Sequence, residues 1–403
     1  DDGTATITIN PLPQGTLTAN GPFCATGSGM LTWTSSAGTG PYTILYTENG
    51  GPDRSATGVV SGTPFATYTS TVTTTTNYVI VSVLDETTTC SRSTSFDDGT
   101  ATITVNPLPQ GTLTANGPFC ATGSGMLTWT SSEGTGPYTI LYTENGGPTR
   151  SATGVVSGTP FAAYTPTVTT TTNYVIVSVT DETTTCSRST SFDDGTATIT
   201  INPLPQGTLT ANGPFCVSGS GMLTWTSSAG TGPYTILYTE NGGPTRSATG
   251  VVSGTPFAAY TPTVTTTTNY VIVSVTDETT TCSRSTSFDD GTATITINPL
   301  PQGTLTANGP FCATGSGMLT WTSSAGTGPY TILYTENGGP TRSATGVVSG
   351  TPFAAYTSTV TTTTNYVIVS VTDQTTSCSR STSFDDGTAT ITVNPLPTLT
   401  GAS

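Results

Sequence analysis

One segment of this chain recurs at a fixed spacing along its whole length. The motif DDGTATIT begins at Asp1, Asp97, Asp193, Asp289 and Asp385, so the period is 96 residues. A period of this length is too long for one coil of a solenoid and suits one small domain per repeat. The sequence therefore predicts four tandem domains, followed by the start of a fifth period.

Each period is rich in residues that favour β-strands. Thr, Val, Ile and Tyr are frequent, Gly and Pro interrupt them, and no stretch shows apolar residues at helical spacing. In the first period we predict seven strands, over residues 15–18, 29–36, 42–48, 54–60, 65–72, 77–85 and 100–105. Turn signals about every 8–12 residues are typical of an immunoglobulin-like sandwich. The predicted fold is all-β, with immunoglobulin-like seven-stranded β-sandwiches in a linear array.

Three residue patterns make finer predictions about one domain. The apolar run around Val79 and Val81 predicts a central strand that is covered on both faces. Trp33 is predicted to lie in the core. Tyr78, at the start of the sixth strand, resembles the tyrosine corner of sandwich folds, and an ordinary core tyrosine is the alternative.

The domain boundaries depend on the phase of the repeat, which the sequence leaves open. We place an orphan strand in residues 1–10, four repeats in residues 11–105, 106–201, 202–297 and 298–393 (repeats 1 to 4), and the start of a further repeat or a tail in residues 394–403. In this phase, residues 1–9 lie outside the first domain, extended at its pole or paired with another copy. In the other phase, residues 4–9 form the opening strand of the first domain.

Charge is sparse and acidic, which excludes several classes of function. The chain has no His, its only bases are eight Arg, and its formal net charge is −15. Nucleic acid is therefore an improbable partner, and no apolar run is long enough to insert into a membrane. Acid–base and nucleophilic catalysis usually need His or Lys. The sequence predicts a protein that is not an enzyme.

Each period contains two cysteines, and they are 66 residues apart in every case. An even count at fixed spacing predicts one disulfide per domain, with reduced thiols as the alternative. The predicted bonds are Cys24–Cys90, Cys120–Cys186, Cys216–Cys282 and Cys312–Cys378. Since the first cysteine precedes the second strand and the other follows the sixth, we expect a staple at one pole. Such a bond would stabilise a domain by roughly 4 kcal/mol, and it indicates an extracellular, oxidising location.

Paired acids at expected turns are the weak candidates for a metal site. Asp85 and Glu86 form one pair, and Asp97 and Asp98 form the other. Loop carboxylates suit Ca²⁺, but no EF-hand pattern is present. The favoured interpretation is solvated turn charges with no cofactor, and bound Ca²⁺ is the alternative.

Four short motifs resemble the Ig-like and PKD-like repeats of very large Bacteroidota surface proteins, which include gliding-motility adhesins. They are the NPLP linker at residues 106–109, Phe23-Cys24, the GPYT segment at residues 40–43 and the TTTNY segment at residues 74–78. The resemblance implies export, display on a bacterial cell surface and an extending or adhesive role.

These observations lead to three functional hypotheses. The first is a non-enzymatic extracellular structural protein, a rod or fibre that acts as a spacer or stalk and spans roughly 150 Å over four repeats. The second is a multivalent adhesin whose repeats bind glycans or surfaces, with Tyr42, Tyr46 and Tyr68 as candidate contacts. The third is self-association with other copies or adjacent repeats into a filament.

Overall fold

The computed structural model describes residues 3–397, and their regular structure is entirely β. The chain divides into two compact units, Asp1–Asn202 and Pro203–Ser403, and each unit holds two repeats. The predicted all-β, tandem immunoglobulin-like fold is confirmed. Within residues 3–397, no helix is long and apolar enough to cross a membrane.

The first unit contains twenty strands. Repeat 1 contributes β1 (Gln14–Ala19), β2 (Phe23–Cys24), β3 (Gly27–Ala37), β4 (Tyr42–Glu48), β5 (Arg54–Val59), β6 (Pro64–Val72), β7 (Thr76–Asp85), β8 (Ser91–Arg92), β9 (Thr100–Ile103) and β10 (Val105–Asn106). Repeat 2 contributes β11 (Gln110–Ala115), β12 (Phe119–Cys120), β13 (Gly123–Glu133), β14 (Tyr138–Glu144), β15 (Thr149–Val155), β16 (Pro160–Val168), β17 (Thr172–Asp181), β18 (Ser187–Arg188), β19 (Thr196–Ile199) and β20 (Ile201–Asn202).

The second unit repeats the same order of strands. Repeat 3 contributes β21 (Gln206–Ala211), β22 (Phe215–Cys216), β23 (Gly219–Ala229), β24 (Tyr234–Glu240), β25 (Thr245–Val251), β26 (Pro256–Val264), β27 (Thr268–Asp277), β28 (Ser283–Arg284), β29 (Thr292–Ile295) and β30 (Ile297–Asn298). Repeat 4 contributes β31 (Gln302–Ala307), β32 (Phe311–Cys312), β33 (Gly315–Ala325), β34 (Tyr330–Glu336), β35 (Arg342–Val347), β36 (Pro352–Val360), β37 (Thr364–Asp373), β38 (Ser379–Arg380), β39 (Thr388–Ile391) and β40 (Val393–Asn394).

Each repeat is a sandwich of two antiparallel sheets. In repeat 1, β1, β3 and β6 form one sheet in the order β1-β3-β6. The other sheet has the order β5-β4-β7-β8, and β9 also pairs with β7. A short parallel pair joins β2 to β10. All seven predicted strands are present, and the additional strands are two-residue pairings that the alternation of apolar residues does not reveal.

Each core is drawn from a single 96-residue period. In repeat 1, Leu31 and Trp33 project from β3 towards Tyr42, Ile44 and Tyr46 on β4, and all five side chains are buried. They lie at alternate positions because successive side chains of a strand point to opposite faces of the sheet. The prediction that Trp33 lies in the core is confirmed.

The sixth predicted strand, β7, differs from its expectation. It lies centrally between β4 and the pair β8 and β9, but only one of its faces is covered. Val79 is 44% exposed, whereas Tyr78 is fully buried. The prediction of burial on both faces was wrong because the apolar run reflects β-propensity on the outer face. The hydroxyl of Tyr78 has no hydrogen-bond partner in the described part of the chain, so this residue is an ordinary core tyrosine.

The segment before the first sandwich carries no strand. Residues 3–13 are outside regular structure, and Ile7 is 88% exposed. The closing strand of repeat 1 is instead β9, which pairs with β7 of the same repeat. Residues 1–2 and 398–403 lie outside the described residues, so the predictions for residues 1–10 and 394–403 fall partly there. The exact boundaries of the four repeats stay predictions.

Candidate functional site

The disulfides join adjacent repeats. Cys24 of repeat 1 is bonded to Cys186 of repeat 2, and Cys216 of repeat 3 is bonded to Cys378 of repeat 4. Each bond spans 162 residues of sequence, with Cα atoms 5.5 and 5.6 Å apart. The prediction of one bond within each repeat was therefore wrong for these four cysteines.

The reason is that the two cysteines of one repeat lie at opposite poles. Cys24 on β2 pairs with Asn106 on β10, at the pole where repeat 1 ends. The carbonyl of Cys90 accepts a hydrogen bond from the amide of Asp85, at the far end of β7. A strand as long as β7 extends about 30 Å, whereas a disulfide needs Cα atoms within roughly 7 Å. A bond between Cys24 and Cys90 is excluded by this separation.

Local packing fixes the position of Cys24. The ring of Phe23 packs onto Gly27, where a Cβ would leave no room for it. The amide of Phe23 donates to the carbonyl of Thr104, and the amide of Ala25 donates to that of Asn106. Together these contacts hold Cys24 beside the linker that leads into repeat 2.

A caged carboxylate fixes the position of Cys186. Asp181 is completely buried at the end of β17, and its amide donates to the carbonyl of Cys186. Its carboxylate accepts from the backbone amides of four residues: Thr135 (2.6 Å), Gly136 (3.3 Å), Thr183 (2.9 Å) and Thr184 (3.1 Å). Burial by itself raises the pKa of Asp181, but these donors together hold it below its ordinary value.

The junction between the bonded repeats is short and partly apolar. Only residues 107–109 separate β10 from β11, and Leu108 is half-buried there. In the second unit, the corresponding junction contains a cleft of about 520 Å³ lined by Val217, Ile297, Leu300 and, from repeat 4, Arg380. Proline on both sides of Leu108 fixes the backbone of the linker.

The remaining cysteines fall into two groups. Cys120 and Cys282 are also disulfide-bonded. Cys90 and Cys312 are free thiols, of which the first is half-buried and the second exposed. The predicted disulfide residues are therefore bonded at six of eight positions, and the partners of Cys24, Cys186, Cys216 and Cys378 differ from the prediction.

The acidic pairs are occupied by hydrogen bonds of the chain itself. Asp85 accepts from the amides of Thr87 and Thr88 in its own turn and from the amide of Thr39 in the loop before β4, as Asp181 does from the corresponding segments of repeat 2. Glu86 accepts from the amide of Gly58, which holds the pKa of this carboxyl below its usual value. Asp97 accepts from Gln14 and Ser36, and Asp98 accepts twice from Thr100. Within residues 3–397, no group of three or more His, Cys, Asp or Glu could hold a metal ion.

We expect chelation of metal ions to leave the stability of the repeats unchanged. The carboxylates that a Ca²⁺ ion would need are already satisfied by backbone amides and hydroxyls, which fix the turns without an ion. The melting temperature should be the same in EDTA and in millimolar CaCl₂ by differential scanning calorimetry. A rise of several degrees with CaCl₂, reversed by EDTA, would instead establish a calcium site.

A second surface recurs along the flank of the repeats. In repeat 2 a groove of about 340 Å³ lies between β15 and β16, which are edge strands of the two sheets. The guanidinium of Arg150 stacks over the ring of Tyr164 at 3.5 Å, and Tyr164 is 60% exposed. Grooves of about 330 Å³ occupy the same place in repeats 3 and 4.

The structure separates the three tyrosines that we considered as ligand contacts. Tyr42 and Tyr46 are buried in the core, so neither can contact a ligand. Tyr68, the counterpart of Tyr164, is 66% exposed and lies under the guanidinium of Arg54.

The sequence did not lead us to predict two features of the junction between bonded repeats. The first is the caged Asp181, although an aspartate followed by a Glu-Thr-Thr turn is a usual signal for a side chain that accepts from its own backbone. The second is the contribution of Arg380 to the cleft between repeats. No sequence signal distinguishes this arginine from an exposed one.

Neither a protein-family model nor a curated protein sequence matches this chain. Among solved structures, it is similar to a tetra-tandem repeat in the extending region of a large adhesion protein. The identity is 15%, the match covers 94% of this chain and 98% of the other, and the TM-score is 0.35. It is also similar to the D1–D4 ectodomain fragment of ICAM-5, with 14% identity, coverage of 93% and 100%, and a TM-score of 0.33. The fold itself defines the class, which is a tandem array of immunoglobulin-like repeats.

Proposed function

We propose that this chain is a non-enzymatic extracellular structural protein, a spacer whose adjacent repeats are clamped together by disulfides. The observation that carries the proposal is the pair of bonds Cys24–Cys186 and Cys216–Cys378, each of which joins two neighbouring repeats. A bond within a repeat would stabilise that domain alone, whereas a bond between repeats also fixes their relative orientation.

The physical need for such a clamp follows from the ordinary behaviour of linked domains. Small interfaces between domains normally permit relative motion. A linker limited to residues 107–109, with proline at both of its ends, restricts that motion. The disulfide adds a second covalent connection beside the linker, and two connections oppose bending that one connection allows.

The disulfides also support the proposed location. Disulfides persist in oxidising compartments and are rare in the cytosol, so we assign the chain to the extracellular space. The bacterial cell surface, and Bacteroidota in particular, is proposed on the resemblance of the linker and strand-opening motifs.

Small-angle X-ray scattering before and after reduction tests this function. We expect the oxidised chain to give one narrow distribution of radii of gyration and the reduced chain a broader one, because the junctions then bend. The variant Cys24→Ser with Cys186→Ser, kept oxidised, should broaden the distribution in part. Identical scattering in all three states would show that the bonds do not restrain the repeats.

A multivalent adhesin is the second candidate, and the flanking groove favours it. An exposed tyrosine under an arginine recurs in every repeat, as Arg54 with Tyr68 and Arg150 with Tyr164 illustrate. Aromatic rings of this kind stack on sugars, and four weak sites would add avidity. Binding to a glycan array that is lost when the four tyrosines are changed to alanine would support this function over the spacer.

A further inference from the structure

The two free thiols lie at opposite poles of different repeats. Cys90 follows β7 at the pole where repeat 1 begins, and Cys312 lies on β32 at the pole where repeat 4 ends. Their counterparts at the junctions inside the two units are bonded: Cys186 corresponds to Cys90, and Cys24 corresponds to Cys312. Each of these poles therefore carries the cysteine and the backbone that form one side of a disulfide-bonded junction elsewhere in the chain. We call such a side a half of the junction.

Both free halves have the backbone arrangement of the bonded halves. The carbonyl of Cys90 accepts from the amide of Asp85 at 2.9 Å, and the matching bond to Cys186 is 2.8 Å. Cys312 is held on β32 by parallel pairing with β40, as Cys24 is held by β10. Neither thiol needs a rearrangement of its own repeat before it can form the same bond.

The surfaces around the free thiols are also those that a neighbouring repeat covers elsewhere. Cys90 is half-buried, whereas Cys186 and Cys378 are completely buried. Leu396 is 63% exposed, whereas its counterparts Leu108 and Leu300 are half-buried at junctions. This apolar area and the thiol beside it point to the same occupant, which is another repeat of this type.

We propose that Cys312 of one copy of this chain forms a disulfide with Cys90 of a second copy, so that copies join head to tail. This goes beyond the proposed function, which concerns junctions within one chain. The contact is heterologous, because the end pole of one copy meets the start pole of the next. Such contacts generate open filaments when the rotation between copies does not close a ring.

The bond requires an oxidant, for which a small-molecule disulfide such as oxidised glutathione suffices. The Cys90 thiolate attacks oxidised glutathione, forms a mixed disulfide and releases one glutathione thiolate. The Cys312 thiolate of the second copy then attacks the protein sulfur of that mixed disulfide and releases the second glutathione. Two protein thiols are thus oxidised while one glutathione disulfide is reduced to two thiols.

Single-thiol variants of the full chain test the proposal. The wild-type chain in a glutathione redox buffer should give a ladder of multimers on a non-reducing gel, which dithiothreitol collapses to monomer. The variants Cys90→Ser and Cys312→Ser should each remain monomeric alone. An equimolar mixture of the two should give dimer and nothing larger, because only one complementary pair of thiols is left.

Peptide mapping supplies the second readout. Trypsin should release residues 55–92 joined to residues 285–342, since arginine is the only cleavable base in the chain. Equal melting temperatures of wild type and variants would establish that each variant is folded. Dimers formed by either variant alone, a monomer that holds the same cross-link, or a wild-type chain that stays monomeric with two titratable thiols would each overturn the proposal.

Discussion

The substitution Asp181→Asn should lower the melting temperature of repeat 2 by roughly 10–20 °C. Four backbone amides converge on this carboxylate in a site that solvent does not reach. The side-chain amide of asparagine accepts hydrogen bonds only at its oxygen. Its NH₂ group is itself a donor and would face backbone N–H donors. Hydrogen bonds to a charged acceptor contribute about 1.5–3 kcal/mol each. We therefore expect the substitution to lower the free energy of unfolding by about 3 kcal/mol, which corresponds to this shift in melting temperature. Differential scanning calorimetry should show one repeat melting ahead of the others.

The neighbouring acid provides a matched control from the chain itself. Glu182 accepts from Thr139 and Gly154 on the surface, and repeat 4 carries Gln374 at the equivalent position. The amide of Gln374 donates to Thr331, so the contact survives the loss of charge. Glu182→Gln should therefore leave the melting temperature nearly unchanged. If the two substitutions destabilise repeat 2 equally, the cage around Asp181 has no special role.

The same carboxylate predicts the direction of the pH dependence. The pKa of Asp181 is held below its ordinary value in the folded protein, while the unfolded chain has a value of about 3.9. Its contribution to stability is therefore fully present above pH ~4 and is lost as the pH falls through the folded pKa. Thermal melts between pH 7 and pH 2 should show a steeper acid loss for wild type than for Asp181→Asn.

Most of the fold could be predicted from sequence because its signals are local. The predicted strand over residues 42–48 coincides with β4, since proline precedes it and an Asn-Gly turn follows it. Alternation placed Tyr42 and Ile44 on one face, and both are buried. The outer face of β7 is the exception to this agreement. Val79 favours a β-strand there, but its side chain is exposed to solvent.

The disulfide pairing was harder to predict from sequence because the repeat offers a cysteine two candidate partners of the same kind. Cys24 is 66 residues from Cys90 and 162 from Cys186, and both partners occupy the same position in a period. The number of strands does distinguish them. Five successive strands, β3 to β7, separate Cys24 from Cys90, and each reverses direction with respect to the one before. A chain that traverses an odd number of such strands ends at the opposite pole from its start, so the predicted strands already argue against a bond within one repeat.

The sequence signals that Asp85 and Asp181 can accept from their own turns, but the complete backbone cage could not be predicted, for a different reason. Asp85 and Asp181 stand in turns rich in Thr and Glu, a composition that suits solvated charges, bound Ca²⁺ and a backbone cage equally. The deciding contacts come from the loop before β4 or β14, which is about 45 residues away along the chain. Only the folded sandwich brings these segments together.

We expect that tension applied to the chain ends will not extend most of the chain until the disulfides are reduced. A force that reaches Cys24 passes directly to Cys186, so the residues between them carry none of it, and the same holds for Cys216 and Cys378. Each bond spans a sequence separation of 162. At 3.3–3.6 Å per residue, each should hide on the order of 550 Å of contour length.

Single-molecule force spectroscopy with dithiothreitol measures these hidden lengths. In a background variant, Cys120→Ser with Cys282→Ser, which removes the other two bonded cysteines, the oxidised chain under constant load should show two steps of on the order of 550 Å as Cys24–Cys186 and Cys216–Cys378 are reduced. Bonds within each repeat would instead release steps of about 230 Å for a separation of 66 residues. The variant Cys24→Ser with Cys186→Ser should lack one of the two long steps, which assigns the other to Cys216–Cys378.

A spacer gains a particular property from this arrangement. In a chain of domains without such bonds, each domain that unfolds under load lengthens the chain by its whole contour. Here the covalent path crosses from one repeat to the next at Cys24–Cys186, so loss of a core inside that span changes the length little. The reach of the array under tension then depends on the redox state of its junctions and hardly on the stability of single sandwiches, which are of marginal stability individually. If the oxidised chain lengthens under load in short steps, each the length of one unfolded repeat, then its length does depend on the folding of single repeats and this expectation is wrong.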